Sequence, residues 1–289
     1  MALRPDLLGA STDPVEFSWG PDEVMLYALA VGAGQDEPTG DLSLTTENAE
    51  GAPLRTLPGF ANIITRGLRV HPPIGEEDPR VLHAEQAFRV RAPLPTAGRA
   101  RVTGRVVALD EKRGGLLVHT LAEAVDTATG TVLAETVQTI MIRGEADPTP
   151  SERPGQRAAE PLLTPPGPIP DRAPDRTVAM PVPADQALLY RLTGDRNPLH
   201  TDPAFARRAG FDRPILHGMC TYGFTARVLA DDPAALVGMQ ARFTRPVWPG
   251  DRLEVSVWQA GGGVHFRTTR DGEPVLDRGW AEFREAHSV

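Results

Sequence analysis

Cysteine is almost absent from this sequence: among 289 residues, only Cys220 is a cysteine. A single thiol excludes an intrachain disulfide, a thiolate zinc cluster and a CxxC redox pair. The apolar neighbours of Cys220 predict a packed side chain rather than a nucleophile.

Long apolar runs are missing as well. None approaches the roughly 20 residues that a membrane-spanning helix needs, and the first residues contain no apolar core of signal-peptide length. We therefore expect a cytoplasmic protein that has no membrane partner.

Basic charge and cofactor motifs are scarce too. The formal net charge is -8, and an acidic chain lacks the broad basic face that nucleic-acid binding needs, so no nucleic-acid partner is expected. The glycine clusters at 31–35 and 261–263 complete neither a GxGxxG motif nor a Walker motif. The sequence therefore predicts no cofactor, and the spacing of possible ligands predicts no metal site.

Proline, in contrast, is concentrated in residues 144–176, which contain nine prolines and almost no periodic apolar pattern. Proline restrains its own backbone and biases the preceding residue towards extended structure. This stretch is predicted to be a semi-rigid linker rather than a packed element. It separates a first unit, residues 1–143, from a second unit, residues 177–289.

The two units resemble each other in sequence. The dipeptide QA at 86–87 opens an alternating strand, a turn with proline and glycine, and another strand, and QA at 240–241 opens the same series. LYAL at 26–29 matches LYRL at 189–192. We interpret the chain as a duplicated unit.

Each unit is predicted to begin with helical segments. In the second unit, Asp185 caps one helix, and Asp202 caps another that ends at Gly210. A third segment, at 217–232, is apolar on most faces and should be deeply buried.

Antiparallel strands are predicted to follow in each unit, at 82–91, 100–110, 115–127 and 131–143 and at 236–247, 251–259, 263–270 and 273–285. A buried helix with such strands around it is an α+β arrangement.

The segment GDRNPLH at 194–200 carries the clearest chemistry. Asp195 and His200 flank the turn-forming pair Asn197-Pro198, so both side chains can converge on one water. Histidine gives and takes protons near neutrality, and a neighbouring carboxylate can orient its ring. Addition of water to an enoyl thioester needs such proton transfers. Taken alone, the segment also fits a common turn with a solvated aspartate and a structural histidine.

The longer segment at 190–227 resembles the signature of the (R)-specific enoyl-CoA hydratases, the MaoC-like branch of the hotdog superfamily. The segments at 17–34, 82–98 and 242–251 also resemble members of that family that contain two hotdog units. The resemblance implies a double hotdog, in which each of two tandem units wraps an antiparallel sheet around a buried helix. It also implies a hydro-lyase that reversibly hydrates a trans-2-enoyl thioester of CoA, or of an acyl carrier, to the (R)-3-hydroxyacyl thioester.

The same resemblance assigns catalytic roles. It makes Asp195 and His200 the pair that holds the attacking water and places Asn197 in their polar network. Gly218 is expected at the start of the buried helix, where free amides and the helix dipole can hold an enolate-like oxygen, and the family gives the matching glycine that role.

Substrate contacts are predicted at four further residues. His217 is expected to be a neighbouring pocket residue rather than a proton carrier, and His83 is expected to line the acyl pocket. Arg242 and Arg245 are candidates for contact with the CoA phosphates, together with Lys112 and Arg113 in a turn of the first unit.

The first unit lacks the catalytic pair, because the alignment of LYAL with LYRL places Gly32 opposite Asp195 and Glu37 opposite His200. One active site per chain is therefore expected, and the resemblance implies that the first unit helps to bind the acyl chain. It also implies a homodimer. Two alternatives stay open: an acyl-CoA thioesterase and a non-catalytic acyl-CoA-binding subunit.

Overall fold

The computed structural model of the protein describes residues 7–66, 68, 80–112, 114–144, 156–229 and 231–284. Its strands are β1 (Val15–Trp19), β2 (Val81–Val90), β3 (Gly98–Lys112), β4 (Gly115–Asp126), β5 (Val132–Arg143), β6 (Gln156–Arg157), β7 (Arg176–Pro181), β8 (Leu236–Phe243), β9 (Arg252–Ala260), β10 (Gly263–Arg270) and β11 (Glu273–Phe283). Its α-helices are α1 (Pro21–Ala30), α2 (Leu42–Thr45), α3 (Ala61–Ile64), α4 (Gln186–Tyr190), α5 (Pro203–Arg208) and α6 (Gly218–Val228).

All of these strands belong to one antiparallel sheet. Its order is β1-β3-β4-β5-β2-β8-β11-β10-β9-β7, and β6 pairs with β3 outside this path. Strands β1 to β5 come from the first unit and β7 to β11 from the second, so the sheet runs without a break from one unit into the other.

The two units meet where β2 pairs with β8. Gln86 lies opposite Ala241, and Ala87 lies opposite Gln240. The two QA dipeptides that mark the repeat in the sequence are therefore direct antiparallel partners. A local two-fold relation between the units passes through this seam.

The central helices differ between the units. Helix α6 is 11 residues long, and its residues from Cys220 to Ala226 are all buried. In the first unit, the corresponding part of the chain is a 3-10 turn, Pro58–Phe60, followed by the four-residue helix α3. The first unit thus buries a much shorter helix. One hydrophobic core contains aromatic residues of both units, including Phe60, Phe88, Tyr222 and Phe266.

The eight predicted strands are all present, with ends that differ from the prediction by up to four residues. The strands β1 and β7 were not predicted. Both are short and lie at the edges of the sheet. The five residues of β1, VEFSW, do alternate apolar and polar residues, a signal that was overlooked, whereas RTVAMP of β7 alternates less clearly.

The prediction of an unpacked linker was wrong for the residues of 144–176 that the structure describes. Strand β6 pairs with β3, and Leu163 is 3% exposed. Trp258 donates a hydrogen bond from Nε1 to the carbonyl oxygen of Arg172. Leu163 packs where Gly238 leaves space, since a Cβ at Gly238 would lie 2.9 Å from Leu163 Cδ2. Because the segment has no periodic apolar pattern, its sequence did not predict these individual contacts.

Within the described residues, no helix has both the length and the apolar character that crossing a bilayer requires. The boundaries of the two units at 143 and 177 stay a prediction.

Candidate active site

The segment between α4 and α5 folds into a tight, polar turn. Asp195 Oδ1 accepts a hydrogen bond from the Asn197 amide at 3.2 Å, and Asn197 Oδ1 accepts one from the Leu199 amide at 3.0 Å. Pro198 opens a 3-10 turn that ends at His200. Short polar side chains followed by proline favour this geometry, because they satisfy the first amides of the turn.

This turn brings three functional side chains together. A carboxylate oxygen of Asp195, a ring nitrogen of His200 and a ring nitrogen of His217 all lie within 4.8 Å of one another. Two groups that share one water, each at about 2.8 Å from it, lie at most about 5.6 Å apart. The cluster can therefore hold a water between the carboxylate and an imidazole.

Backbone contacts fix which nitrogen of each histidine carries a proton. His200 donates from Nδ1 to the Ile215 carbonyl oxygen at 2.9 Å, which leaves Nε2 as the basic nitrogen of the neutral ring. His217 donates from Nε2 to the Asp195 carbonyl oxygen at 3.3 Å. The two rings are stacked, with centroids 3.8 Å apart.

Both imidazoles are neutral at pH 7. Burial lowers the pKa of His200 below its usual 6.5, against the opposing influence of Asp195. Burial, followed by the neighbouring His200, lowers the pKa of His217 to about 3. His200 is thus a base ready to accept a proton, whereas His217 stays neutral.

Asp195 is ionised at the same pH. Burial alone would raise its pKa, but the neighbouring His217 and His200, the Asn197 amide and the Arg66 guanidinium together bring the pKa below the usual 3.8. The site therefore combines a carboxylate with a neutral imidazole.

Gly218 is the first residue of α6, as predicted, and His217 is its N-cap. The Cys220 amide donates to the His217 carbonyl oxygen, but the amides of Gly218 and Met219 have no acceptor within the helix, and the positive end of the helix dipole lies there. A Cβ at Gly218 would lie 3.2 Å from the Phe243 ring, so the surroundings leave little room for a side chain. The next residue, Met219, lines the same cavity as Asp195.

That cavity has a volume of about 80 Å³ and extends from Asp195 into the first unit. Its lining from the second unit is Tyr190, Asp195 and Met219, and its lining from the first unit is Asn62, Ile63, Thr65, Arg66, Leu68, His83, Gln86, Thr120, Ala122, Thr136 and Gln138. It lies beside the short helix α3, whose residues Asn62 and Ile63 line it. The first unit thus forms most of the wall next to the candidate catalytic pair.

His83 lines this cavity, where the sequence had placed it. It donates from Nε2 to Gln86 Oε1 at 3.0 Å, Gln86 donates to Asn62 Oδ1 at 2.8 Å, and Asn62 donates to the Gly59 carbonyl oxygen at 3.0 Å. Burial lowers the pKa of His83 to about 4, so its ring is neutral. The directed chain of hydrogen bonds holds the ring against the cavity.

The arginine candidates are not brought to this site. Phe243 contacts His83, with ring centroids 4.6 Å apart, and side chains alternate along a strand, so Arg242 lies on the opposite face of β8. Its Nε lies 3.9 Å from Glu85. Arg245 forms an ion pair with Glu273 at 2.7 Å.

Of the two candidates in the first-unit turn, Lys112 ends β3 away from the lining of the cavity. Arg113 lies outside the described residues.

Arg66 was missed by sequence reasoning. It follows α3, lines the cavity and donates from Nη1 to the Thr193 carbonyl oxygen at 3.3 Å. Its charge helps to lower the pKa of Asp195. No sequence signal could have found it, because 129 residues separate it from Asp195 and only the fold brings the two together.

The cluster of Asp195, His200 and His217 also contains potential metal ligands. A metal ion binds in the plane of each imidazole, along the nitrogen lone pair. Because the two rings are stacked, their lone pairs run side by side rather than towards a common point. This arrangement suits a shared water better than a tetrahedral ion, and the absence of a metal or cofactor stays a prediction.

The corresponding place in the first unit is filled by core side chains. A Cβ at Gly32 would lie 2.6 Å from the Phe224 ring. Glu37 is exposed and accepts hydrogen bonds from Thr39. Gly32 and Glu37 therefore cannot act as a catalytic pair in the first unit.

Comparison with known proteins gives matches over both units. Residues 17–144 match the family described as MFE-2 hydratase 2 N-terminal domain, and residues 166–275 match the family described as MaoC like domain. The chain is 40% identical to 3-hydroxyacyl-thioester dehydratase Y of Mycobacterium tuberculosis, over 98% of this chain and 99% of that protein. It is 41% identical to enoyl-CoA hydratase ChsH3 of the same organism, over 93% and 94% of the two chains.

Solved structures agree with the fold. A MaoC-like dehydratase from Phytophthora capsici has a TM-score of 0.82 at 25% identity, over 98% of this chain and all of that one. A Mycobacterium tuberculosis protein described as a double hotdog has a TM-score of 0.56 at 15% identity, over 96% of each chain, which is a likeness of fold alone. The prediction of an α+β double hotdog is thereby confirmed.

Proposed function

The chain belongs to the family of MaoC-like dehydratases and type 2 enoyl-CoA hydratases, and from this premise we propose that Asp195 and His200 catalyse addition of water to a trans-2-enoyl thioester. The protein is a hydro-lyase that interconverts enoyl and 3-hydroxyacyl thioesters. The observation that carries the catalytic assignment is the placement of a carboxylate and a neutral imidazole within 4.8 Å, beside a cavity.

In hydration, Asp195 and Nε2 of His200 hold the water. Its oxygen attacks carbon 3 while Nε2 takes a proton, and the electrons of the double bond move to the thioester oxygen. The imidazolium then returns the proton to carbon 2, and the enolate collapses to the 3-hydroxyacyl thioester. Because one water supplies both groups, addition is syn. The (R) configuration of the product depends on which face of the double bond the water attacks, and we propose it from the resemblance to (R)-specific hydratases. Dehydration follows the same steps in reverse.

The remaining requirement is stabilisation of the enolate-like oxygen. We assign this role to the Gly218 amide at the start of α6, where the dipole of an 11-residue helix adds positive potential. His217 positions the pair through its hydrogen bond to the Asp195 carbonyl, and Asn197 does so through the turn.

The first unit binds the acyl chain in this proposal, because most of the cavity wall comes from it. Arg66 at the cavity provides positive charge close to the reacting groups. The thioester carrier is CoA or an acyl carrier protein. We also propose that the protein acts in the cytoplasm, since a chain with one cysteine suits a reducing compartment, and that it forms a homodimer.

The test compares wild type with Asp195→Asn and His200→Gln, using crotonyl-CoA and longer enoyl-CoAs and following loss of the enoyl absorbance. Each variant should lose on the order of 10² to 10⁴ in kcat, because His200 transfers the proton and Asp195 holds the water that supplies it. Asp185→Asn and His265→Gln are matched controls away from the site and should keep nearly full activity.

Unchanged rates in either catalytic variant would refute the assignment. Release of free CoA with the double bond intact would instead indicate the thioesterase. Binding of enoyl-CoA with no turnover by the wild type would indicate the non-catalytic subunit.

A further inference from the structure

Two polar side chains of the cavity wall stand directly opposite each other on neighbouring strands. Thr120 of β4 pairs with Gln138 of β5 in register, and both line the cavity that contains Asp195. Directly paired residues on one face of a sheet have Cβ atoms about 4.5–5.5 Å apart. The two side chains thus form one polar patch on the wall contributed by the first unit.

The other polar groups of this wall are already paired. Thr136 donates to Thr65 Oγ1 at 2.9 Å, and Thr65 donates to the Ala61 carbonyl oxygen at 3.0 Å. His83, Gln86 and Asn62 form the directed chain described above. These groups need no ligand.

Thr120 and Gln138 are different. Thr120 is 5% exposed, and its hydroxyl is buried with no hydrogen-bond partner among the described residues. Gln138 is half-buried and makes no side-chain hydrogen bond to any described residue. A buried polar group without a partner is costly, and a plain alkyl chain against this wall would leave both groups unpaired.

We propose that this patch recognises an oxygen function, a hydroxyl or an oxo group, on the acyl chain of the substrate, beyond the carbons that react. The inference rests on the proposed function, because the cavity must receive the acyl chain. The Gln138 amide offers a donor and an acceptor, and the Thr120 hydroxyl can do either after its hydrogen rotates about the Cβ–Oγ bond.

The rest of the wall fits the methylene groups that would connect the thioester to this oxygen. Ile63, Leu68, Ala122 and Met219 are apolar and line the same cavity. A volume of about 80 Å³ has room for several atoms besides the reacting group. The preferred substrate is therefore an enoyl thioester of modest length that carries an oxygen function.

The experiment measures kcat/KM for hydration of trans-2-enoyl-CoAs of six, eight and ten carbons, each with and without a terminal hydroxyl. We expect the hydroxylated substrate to be preferred about tenfold or more at the length that reaches the patch, since a site built to hydrogen bond a hydroxyl rejects the analogue that lacks it. A preference of wild type for the alkyl substrate at every length would overturn the proposal.

Two variants test whether the preference for the hydroxylated substrate comes from the patch. Gln138→Leu and Thr120→Val should each reduce the ratio of the two kcat/KM values towards one, mainly by improving use of the alkyl substrate. Thr103→Val is the control, because it makes the same exchange on β3. Thr103 follows the core residue Val102, so its side chain lies on the opposite face of the sheet. This variant should leave the ratio of the two kcat/KM values unchanged. Unchanged ratios in both patch variants would contradict the proposal even if wild type prefers the hydroxyl.

Failure of this inference is distinguishable from failure of the proposed function. If Asp195 and His200 are not catalytic, their substitution leaves hydration intact. If the patch does not bind the acyl chain, the catalytic variants still lose activity. The ratio of kcat/KM for the hydroxylated and alkyl substrates is then the same in the patch variants as in wild type. The ratio within one variant is also independent of how much of that variant folds.

Discussion

At the scale of single residues, the acid–base character of the site follows from two hydrogen bonds to the backbone. The Ile215 carbonyl holds the proton of His200 on Nδ1, so Nε2 is the nitrogen that can accept one. Burial raises the pKa of Asp195, and the Asn197 amide helps His217 and His200 to bring that pKa below its usual value. Neither bond needs a distant partner, because both belong to the segment 191–217 that connects α4 to α6.

The pH dependence of hydration should reflect His200. Its neutral form is the active base, and burial lowers its pKa below 6.5, so kcat/KM should be constant around pH 7 and should fall only at pH values below 6.5. A profile of kcat/KM between pH 4.5 and 8, with circular dichroism at each pH as the control for folding, checks this. An acid limb centred above pH 6.5 would contradict the assignment of His200 as the base.

The sequence predicted the local part of the site and not the remote part. Asp195, His200 and Gly218 lie within 24 residues, at spacings that a turn and a helix start can explain. Arg66 and Gln138 come from the first unit, and nothing in their neighbours points to chemistry. Arg242 on β8 and Arg245 just after it were chosen by charge alone, and the alternation of that strand turns Arg242 away from the cavity.

At the scale of elements, the strands were predictable because alternating burial is a local signal. The edge strands β1 and β7 are only five and six residues long, so their alternation is brief. The packing of the proline-rich segment depends on individual contacts, among them that of Leu163. Leu163 is buried against Gly238, where a larger residue on β8 would not fit. The segment is thus fastened to the sheet near the seam between the units.

Truncation of this leucine should destabilise the protein. We expect Leu163→Ala to lower the free energy of unfolding by about 2–4 kcal/mol, because it removes buried methyl groups and leaves a cavity against Gly238. Urea denaturation measures the change. Leu188→Ala is the matched control, since Leu188 is 59% exposed, and should change stability by less than about 0.5 kcal/mol. Equal effects of the two substitutions would show that the segment does not contribute through this contact.

At the scale of the whole molecule, the two units contribute different parts of the site. The second unit supplies the water-binding pair and the complete helix α6, and the first unit supplies a short helix and most of the cavity wall. Phe224 of α6 packs against Gly32, the first-unit residue that aligns with Asp195 in the sequence. The repeated sequence predicted the duplication. It did not predict the different roles of the two units, because those depend on which side chains come into contact across the units.

The pairing of β2 with β8 has a consequence for how the enzyme behaves in solution. Since both halves of the cavity belong to one polypeptide, assembly of the site is a unimolecular event that mass action does not govern. Activity per chain should stay constant when the enzyme is diluted from micromolar to nanomolar concentration, whatever its oligomeric state, and initial rates across that range measure it. A progressive loss of activity per chain on dilution would mean that a second chain completes the site.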